Sequence, residues 1–211
     1  MSHKCIICAG QTYDKPDNKG RIFHFCNSCG FISLDSLSFL SETEEKARYD
    51  LHNNSSENQG YIRWLNQFIQ EAVHPYVYPG DSILDFGSGP DPQLKKLLEF
   101  EGYTVDIYDK YFHNLPIPGD YNMITLTEVL EHLKDPLKIL SELRKSLRVN
   151  GYLAIKTAFS PESDDDFLKW WYKEDSTHIS FFSSRTFDLI ADKIRLKFHY
   201  CDNNSIVIFR N

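Results

Sequence analysis

The chain has 211 residues, enough for one full domain and a small appendage. Apolar residues make up 41%, aromatic residues 14% and charged residues 25%, which supports a sizeable core and excludes wholesale disorder, collagen-like and coiled-coil architectures. The formal net charge of −7 disfavours nucleic acid or an anionic membrane as a partner, and no apolar run is long enough for membrane insertion. Met1–Cys5 lacks an apolar leader core, so a cytoplasmic protein is expected.

Four of the five cysteines stand at the start, as Cys5-x2-Cys8 and Cys26-x2-Cys29. Two such turns at this separation direct four thiolates at one point, the spacing of a tetrahedral zinc site. The alternative, two disulfides, needs an oxidising compartment. Residues 1–35 are therefore expected to form a zinc ribbon whose metal, held by Cys5, Cys8, Cys26 and Cys29, is structural: a closed sulfur shell leaves no position for substrate. Arg21–Phe25 reads as a strand entering the second knuckle, and Gly10 and Gly30 follow the knuckles where a positive φ is expected. The basic residues of this segment (Lys4, Lys15, Lys19, Arg21) are offset by Asp14, Asp17 and Asp35, so no basic stripe for RNA results. Cys201 stands alone in a strand-like run and reads as a small buried hydrophobe.

Residues 36–78 read as a helical linker or lid, with a helical piece at Glu42–Tyr49 and a polar Asn53–Ser56 stretch. Ser56 is the expected N-cap of the next helix, with Glu57 in its first turn and Ile62, Leu65, Ile69 and Ala72 on one face. Tyr61, Trp64 and Phe68 fall on a neighbouring stripe, and Pro75 and Pro79-Gly80 end the helix.

From residue 79 to 211, short apolar strands alternate with amphipathic helices, which predicts a doubly wound, mostly parallel α/β sheet. Strands are expected at Ser82–Phe86, Thr104–Tyr108, Met123–Leu126 and Tyr152–Ala158. Helices are expected from about Pro92 to Glu101, over Glu128–Leu133, and from the Asp135-Pro136 start to Leu147, where Asn150-Gly151 stops the chain. Asp164-Asp165-Asp166 reads as a solvated loop or a helix start. A helix near Ser184–Arg195 precedes Lys197–Cys201 and Ser205–Arg210, whose three-residue link demands an antiparallel hairpin.

The central motif is Ile83-Leu84-Asp85-Phe86-Gly87-Ser88-Gly89-Pro90, a strand entering a Gly-x-Gly turn. Asp109 follows Gly89 by twenty residues, at the end of the second strand, where a carboxylate accepts ribose hydroxyls. Pro92 occupies the third glycine position of a dinucleotide fingerprint, which disfavours a pyrophosphate, and Asp85 suits an ammonium group. Ribose plus ammonium without phosphate describes S-adenosylmethionine.

With these motifs the chain resembles the class I S-adenosylmethionine-dependent methyltransferases over residues 60–211. Ile83–Gly89 matches the glycine-rich loop and Asp109 the ribose acid. Tyr121–Pro136, with its Glu128-Val129-Leu130-Glu131-His132 signature, matches the fourth-strand segment, and Glu142–Thr157 the following helix and strand. The zinc knuckles with Tyr172-x-x-Asp175-x-Thr177-His178 are similar to a bacterial subgroup related to small-molecule O- and C-methyltransferases, the ubiquinone type included. The resemblance implies that Asp85, Phe86, Gly87, Ser88, Gly89, Asp109, Lys110, Leu126, Thr127 and Tyr61 bind the cofactor, with Tyr49, His52 and Asn53 closing over it. One departure stands out: only ten residues separate Asp109 from Asp120, so the third strand and its helix are shortened or absent, and adenine is left to apolar neighbours such as Tyr111 or Leu115.

Methyl transfer requires alignment, exclusion of water and often removal of a proton. On a helix, Glu128, Glu131 and His132 share one face, and His178 lies in a segment able to fold over the site behind Trp170, Trp171 and Tyr172. His178, His132 and Glu128 are the expected catalytic residues, His178 as general base. By resemblance to relatives with an E-x-x-E-H helix, Glu128, Glu131, His132 and His178 can also hold a divalent metal. The expected function is methyl transfer to an oxygen or carbon of a small molecule. The alternatives are an RNA methyltransferase docking through its ribbon, a non-catalytic cofactor-binding protein, and a nicotinamide-linked oxidoreductase.

Overall fold

The structure, a computed structural model, describes residues 3–50 and 57–211. Its first sheet begins with β1 (Thr12–Pro16), β2 (Ile22–Cys26) and β3 (Ile32–Leu34), an antiparallel meander carrying the two cysteine knuckles at one end. Phe23 and Phe25 of β2 bury their rings against Phe167, with centroids 5.2 and 5.3 Å away. The meander does not end at β3. Ile32 and Ser33 pair antiparallel with β8 (Ser180–Phe181), so the ribbon sheet takes its fourth strand from the far end of the chain.

The second sheet has the order β5-β4-β6-β7-β10-β9. Its strands are β4 (Ser82–Phe86), β5 (Thr104–Tyr108), β6 (Tyr121–Thr127), β7 (Leu147–Lys156), β9 (Lys197–Cys201) and β10 (Ile206–Arg210). β5, β4, β6 and β7 pair parallel, while β10 runs antiparallel to both β7 and β9. This is the doubly wound α/β sheet with a reversed hairpin that the alternation predicts. Between β5 and β6 only an isolated bridge from Asp109 to His113 stands where a further strand would lie.

Helices α1 (Glu42–Tyr49), α2 (Gln59–Phe68), α3 (Gln93–Phe100), α4 (Pro136–Arg144), α5 (Asp164–Lys169) and α6 (Ser184–Ile194) complete the fold. Leu65, Phe68, Ile69 and Ala72, from α2 and the π-helical turn after it, bury one face of the sheet together with Leu94 and Leu98 of α3. Leu140 and Leu143 of α4 and Phe187, Ile190 and Ile194 of α6 cover the other. Phe31 joins that second core, its ring 5.2 Å from Phe182, so the ribbon is packed on the six-stranded sheet. Among the described residues, no helix is long and apolar enough to cross a membrane.

Several local expectations are corrected. Asn58 caps α2, accepting from the Tyr61 amide, while the expected cap Ser56 lies outside the described residues. Pro92 is the N-cap of α3 rather than its first residue. α4 stops at Arg144, and Leu147 already belongs to β7, whose irregular pairing absorbs Asn150 at φ 66°. At the first knuckle Ala9, not Gly10, has the positive φ; Gly10 is needed for space, because a Cβ there would meet Ser28 Oγ at 2.7 Å. Asp164–Asp166 form the first turn of α5, where acidic side chains favour the helix dipole. Cys201 is half-buried at the end of β9 rather than in the core, its Sγ accepting from the Asn203 amide.

Candidate active site

A cleft of about 1620 Å³ opens along the carboxyl edge of the parallel strands. At one end β4 runs into the glycine turn. Gly87 has φ 85° and its amide donates to the Tyr108 carbonyl at 2.7 Å, which ties the turn to the tip of β5. Only glycine fits there, since a Cβ would lie 2.2 Å from Val129 Cγ2. Asp109, just beyond β5, is locked by backbone amides: Oδ2 accepts from Gly89 at 3.0 Å, and Oδ1 from Tyr111 at 2.8 Å and Phe112 at 3.2 Å. A negative pole is thus fixed at the cleft wall, with a lone pair of Oδ2 left over. Asp85, next to last in β4, is almost fully buried, and burial pushes its carboxyl up to about 7; the Thr125 hydroxyl, 3.3 Å away, works against that rise. Phe86 and Tyr108 stack beside it at 4.8 Å.

The other end is built after β6. Glu128 adopts a left-handed backbone, φ 53°, and a single 3-10 turn over Leu130–His132 follows. The expected helix over Glu128–Leu133 is absent, and the shared helical face with it. What unites these residues is Tyr172, brought in by the chain after β7. Its hydroxyl lies 2.9 Å from Glu128 Oε2, 2.5 Å from Glu131 Oε1 and 3.3 Å from Thr157 Oγ1. One hydroxyl proton cannot serve two carboxylates, so at least one glutamic acid is protonated. Burial raises both carboxyls, Glu128 being lifted further by the neighbouring Glu131 charge.

Two imidazoles stand beside this group, His132 and His178, with ring centroids 4.8 Å apart. His132 Nδ1 contacts the Thr177 carbonyl at 3.0 Å and His178 Nδ1 the Tyr172 carbonyl at 2.7 Å. A carbonyl only accepts, so both Nδ1 atoms are donors, and whenever a ring is neutral its lone pair lies on Nε2. Burial lowers the pKa of His132, which keeps it neutral and able to take a proton. Ligand atoms of Glu131, His132 and His178 lie within 4.8 Å of one another, and Glu131 Oε2 is buried without a hydrogen-bond partner.

α1 roofs the middle of the cleft without burying a side chain of its own. Glu42 pairs with Lys110 at 2.8 Å, the Tyr111 hydroxyl donates to Glu45 at 2.8 Å, and Arg48 pairs with Asp175 at 2.9 Å. Both ends of the cleft are therefore tied to the same helix.

The chain matches the Methyltransferase domain family over residues 41–197. It belongs to that family. Among solved structures it is similar to a Burkholderia thailandensis 1,6-didemethyltoxoflavin-N1-methyltransferase, described with bound 1,6-didemethyltoxoflavin and S-adenosylhomocysteine. That match has 12% identity and a TM-score of 0.59, covering 94% of this chain and 98% of that one. A SAM-dependent methyltransferase from Archaeoglobus fulgidus has 14% identity and a TM-score of 0.54, covering 71% of this chain and 94% of that one. A protein of Bacillus halodurans described as a methyltransferase has 15% identity and a TM-score of 0.50, covering 64% of this chain and 70% of that one. Among curated proteins, none matches the chain.

In this methyltransferase the expected cofactor residues Tyr61, Asp85, Phe86, Gly87, Ser88, Gly89, Asp109, Lys110 and Thr127 line the cleft, as do Glu128, His132 and His178. Leu126 does not: its side chain is fully buried in the sheet core. Tyr111 lines the wall beyond Asp109, whereas Leu115 is 63% exposed outside it. His52 and Asn53 lie outside the described residues. Glu131, read from sequence as a candidate metal ligand, is buried behind Tyr172. The Arg48–Asp175 tie across the roof was not assigned by sequence, since it depends on a contact 127 residues apart.

The four knuckle cysteines fit a metal rather than disulfides. Cys5 and Cys29 Sγ are 3.6 Å apart and Cys8 and Cys26 Sγ 3.4 Å, near the ~3.8 Å that a tetrahedron of 2.3 Å Zn–S bonds requires. The Ile7 and Gly10 amides donate to Cys5 and Cys8 sulfur at 3.4 and 3.3 Å, which favours thiolates.

Proposed function

We propose that this methyltransferase moves the methyl group of S-adenosylmethionine to an oxygen or carbon of a small-molecule acceptor. The carrying observation is that one cleft joins the amide-locked Asp109 to the His132–His178 pair. S-adenosylmethionine supplies an electrophilic sulfonium methyl when bound. Asp109 holds the ribose, Gly87–Gly89 give backbone approach, and Asp85 faces the ammonium group. At the other end an acceptor is walled by Trp170, Trp171 and Tyr172. His178 Nε2 takes the acceptor's proton as its oxygen or carbon bonds to the methyl and the sulfur keeps the bond electrons. The Tyr172–Glu128–Glu131 group stores protons and fixes the wall on which the acceptor lies. The neighbour carrying a small heterocycle beside S-adenosylhomocysteine supports a small-molecule acceptor. Residues 1–35 are assigned to a ribbon holding a structural zinc, 36–78 to a lid and 79–211 to the catalytic core.

Thermal-shift and calorimetric titration with S-adenosylmethionine, S-adenosylhomocysteine, NAD and RNA oligonucleotides tests this reading. Large stabilisation is expected from the first two alone, and Asp109→Ala should abolish it. Stabilisation by NAD and not by S-adenosylmethionine overturns it.

A second reading adds a divalent cation at Glu131, His132 and His178. Two Nδ1–carbonyl bonds of the kind that orient metal-binding imidazoles, and the partnerless Glu131 Oε2, favour it. Glu128, bonded to Tyr172, is outside that group. Such an ion would polarise an acceptor hydroxyl. Full activity in protein stripped of divalent ions but retaining its ribbon zinc refutes this addition.

A further inference from the structure

The cleft contains a buried cation that the assignments above leave unused. Lys156, the last residue of β7, is 7% exposed and lines the cleft. Its Nζ donates to Ser205 Oγ at 3.3 Å and sits 5.1 Å from the centre of the Trp64 ring. Among the described residues, no carboxylate lies within ion-pair distance of it. The nearest chain of contacts to one runs through Ser205, whose hydroxyl is 3.5 Å from Asp202 Oδ2. Asp202 is already engaged, its Oδ1 accepting from the Asn204, Ser205 and Ile206 amides at 2.8 Å each.

Lys173 provides the contrast. It is fully buried too, but it has Asp17 at 3.7 Å and Glu174 in direct contact. Burying an ammonium group without an anion is costly, and one aromatic face with one hydroxyl offsets only part of that cost. Asp85 and Glu128 stand among the same cleft walls; of the other cations lining the cleft, Arg48 and Lys110 are paired with Asp175 and Glu42, and Lys134 and Lys138 are exposed to solvent. A buried cation with no carboxylate of its own selects for a negatively charged group and gives it a fixed position.

We propose that Lys156 is the anchor for a ligand carboxylate, received between Trp64 and the Ser205 hydroxyl. The carboxylate has two possible sources, the methionine tail of the cofactor and an acidic acceptor. The proposal rests on the methyltransferase reading only for the first source. Lysine suits the task as a compact point charge on a flexible stem, with two further N–H donors beyond the one given to Ser205.

The test uses the full chain with its metal, as wild type, Lys156→Met and Lys156→Arg. Thermal melting first establishes that the variants fold. Calorimetry then compares S-adenosylhomocysteine with 5′-methylthioadenosine, which lacks the carboxylate. If the cofactor is the source, the wild-type preference for S-adenosylhomocysteine falls about ten- to a hundredfold in Lys156→Met and returns in part in Lys156→Arg. In the second arm, benzoate and its neutral isostere benzamide are titrated into protein saturated with S-adenosylhomocysteine. If the acceptor is the source, benzoate binds in preference to benzamide, and Lys156→Met removes the preference while S-adenosylhomocysteine affinity stays unchanged. Neither preference responding to Lys156→Met overturns the proposal. Wild-type protein that binds neither nucleoside overturns the methyltransferase reading instead, and the benzoate arm, run on the unliganded protein, still decides the role of Lys156.

Discussion

Gly87→Ala perturbs the site where the two halves of the cleft meet. The new Cβ would stand 2.2 Å from Val129 Cγ2 and 3.2 Å from Cγ1, on a residue whose φ is 85°. Placing alanine on the left-handed side costs about 1–2 kcal/mol. Forcing a methyl into a stiff β-branched neighbour costs about 1–3 kcal/mol more. The expected destabilisation is therefore about 2–5 kcal/mol in urea unfolding. Val129 lies between Glu128 and the turn carrying Glu131 and His132, and it lines the cleft. Relief by rotating Val129 drives it into cofactor space, so S-adenosylhomocysteine affinity falls wherever stability is spared. Val129→Ala removes both Cγ atoms, and in the double variant only the backbone part should remain. The double-mutant cycle should show a favourable coupling of about 1–3 kcal/mol. Gly87→Ala within about 0.5 kcal/mol of wild type, with affinity unchanged within about twofold, would refute the close-approach argument.

Three further outcomes follow from the geometry. One zinc ion per chain should be released by a mercurial thiol reagent in a metallochromic assay. Its removal should also perturb tryptophan fluorescence at Trp170 and Trp171, because β3 pairs with β8 and the Leu34 amide donates to Ile179 at 2.9 Å. An unaltered spectrum after complete zinc loss contradicts that coupling. Glu128→Gln should flatten the pH dependence of stability in the unliganded protein. The folded carboxyl is raised from 4.5 to about 8, so its contribution is present below about pH 4.5 and is lost as pH rises through about 8. Denaturation at pH 5, 7 and 9 should show wild type losing more stability than the variant, and equal slopes refute the assignment. Asp17→Asn should cost about 3 kcal/mol, because it takes one carboxylate from the fully buried Lys173 and weakens the Arg21 pair at 2.7 Å. Adding Lys173→Met should recover part of that loss, and a cost under about 1 kcal/mol would mean the cluster does not hold the ribbon.

The legible part of this fold was written in local chemistry. Ser82–Phe86 and Thr104–Tyr108 were readable to the residue because apolar runs between glycine and proline signals have few alternatives. The Asp202-Asn203-Asn204 link predicted the reversed hairpin for the same reason, and the carboxylate of Asp202 does cap that turn. The gathering of the four cysteines was readable because the spacing of two Cys-x2-Cys turns is a short-range rule. Where extent was misjudged, the signals were genuine but local rules could not rank them. Asn150-Gly151 marks a left-handed corner, yet the corner lies inside β7, since pairing with β6 and β10 outweighed a stop signal.

The end of the cleft after β6 was harder, and instructively so. Glu128, Glu131 and His132 do gather on one side of the cleft, but not through the helical spacing that suggested it. Glu128 departs into a left-handed conformation, and a 3-10 turn places the other two. Their common point is Tyr172 for the carboxyls and the Thr177 carbonyl for the imidazole, both in the chain after β7. That chain is in turn held by β3, through the Leu34–Ile179 bond, and by Asp17 and Arg21, which grip Lys173 by side chain and by carbonyl. A reading that assigns the ribbon to a separate appendage has no means of seeing this, because every link spans more than 100 residues. The physical consequence is that strain in the ribbon reaches the chain around Tyr172 by two routes, the Leu34–Ile179 bond and the linked Asp17–Arg21 pair that holds Lys173. A substitution that weakens only the second route, such as Arg21→Lys, should leave the cleft intact, whereas removal of the proposed ribbon zinc should disturb both together.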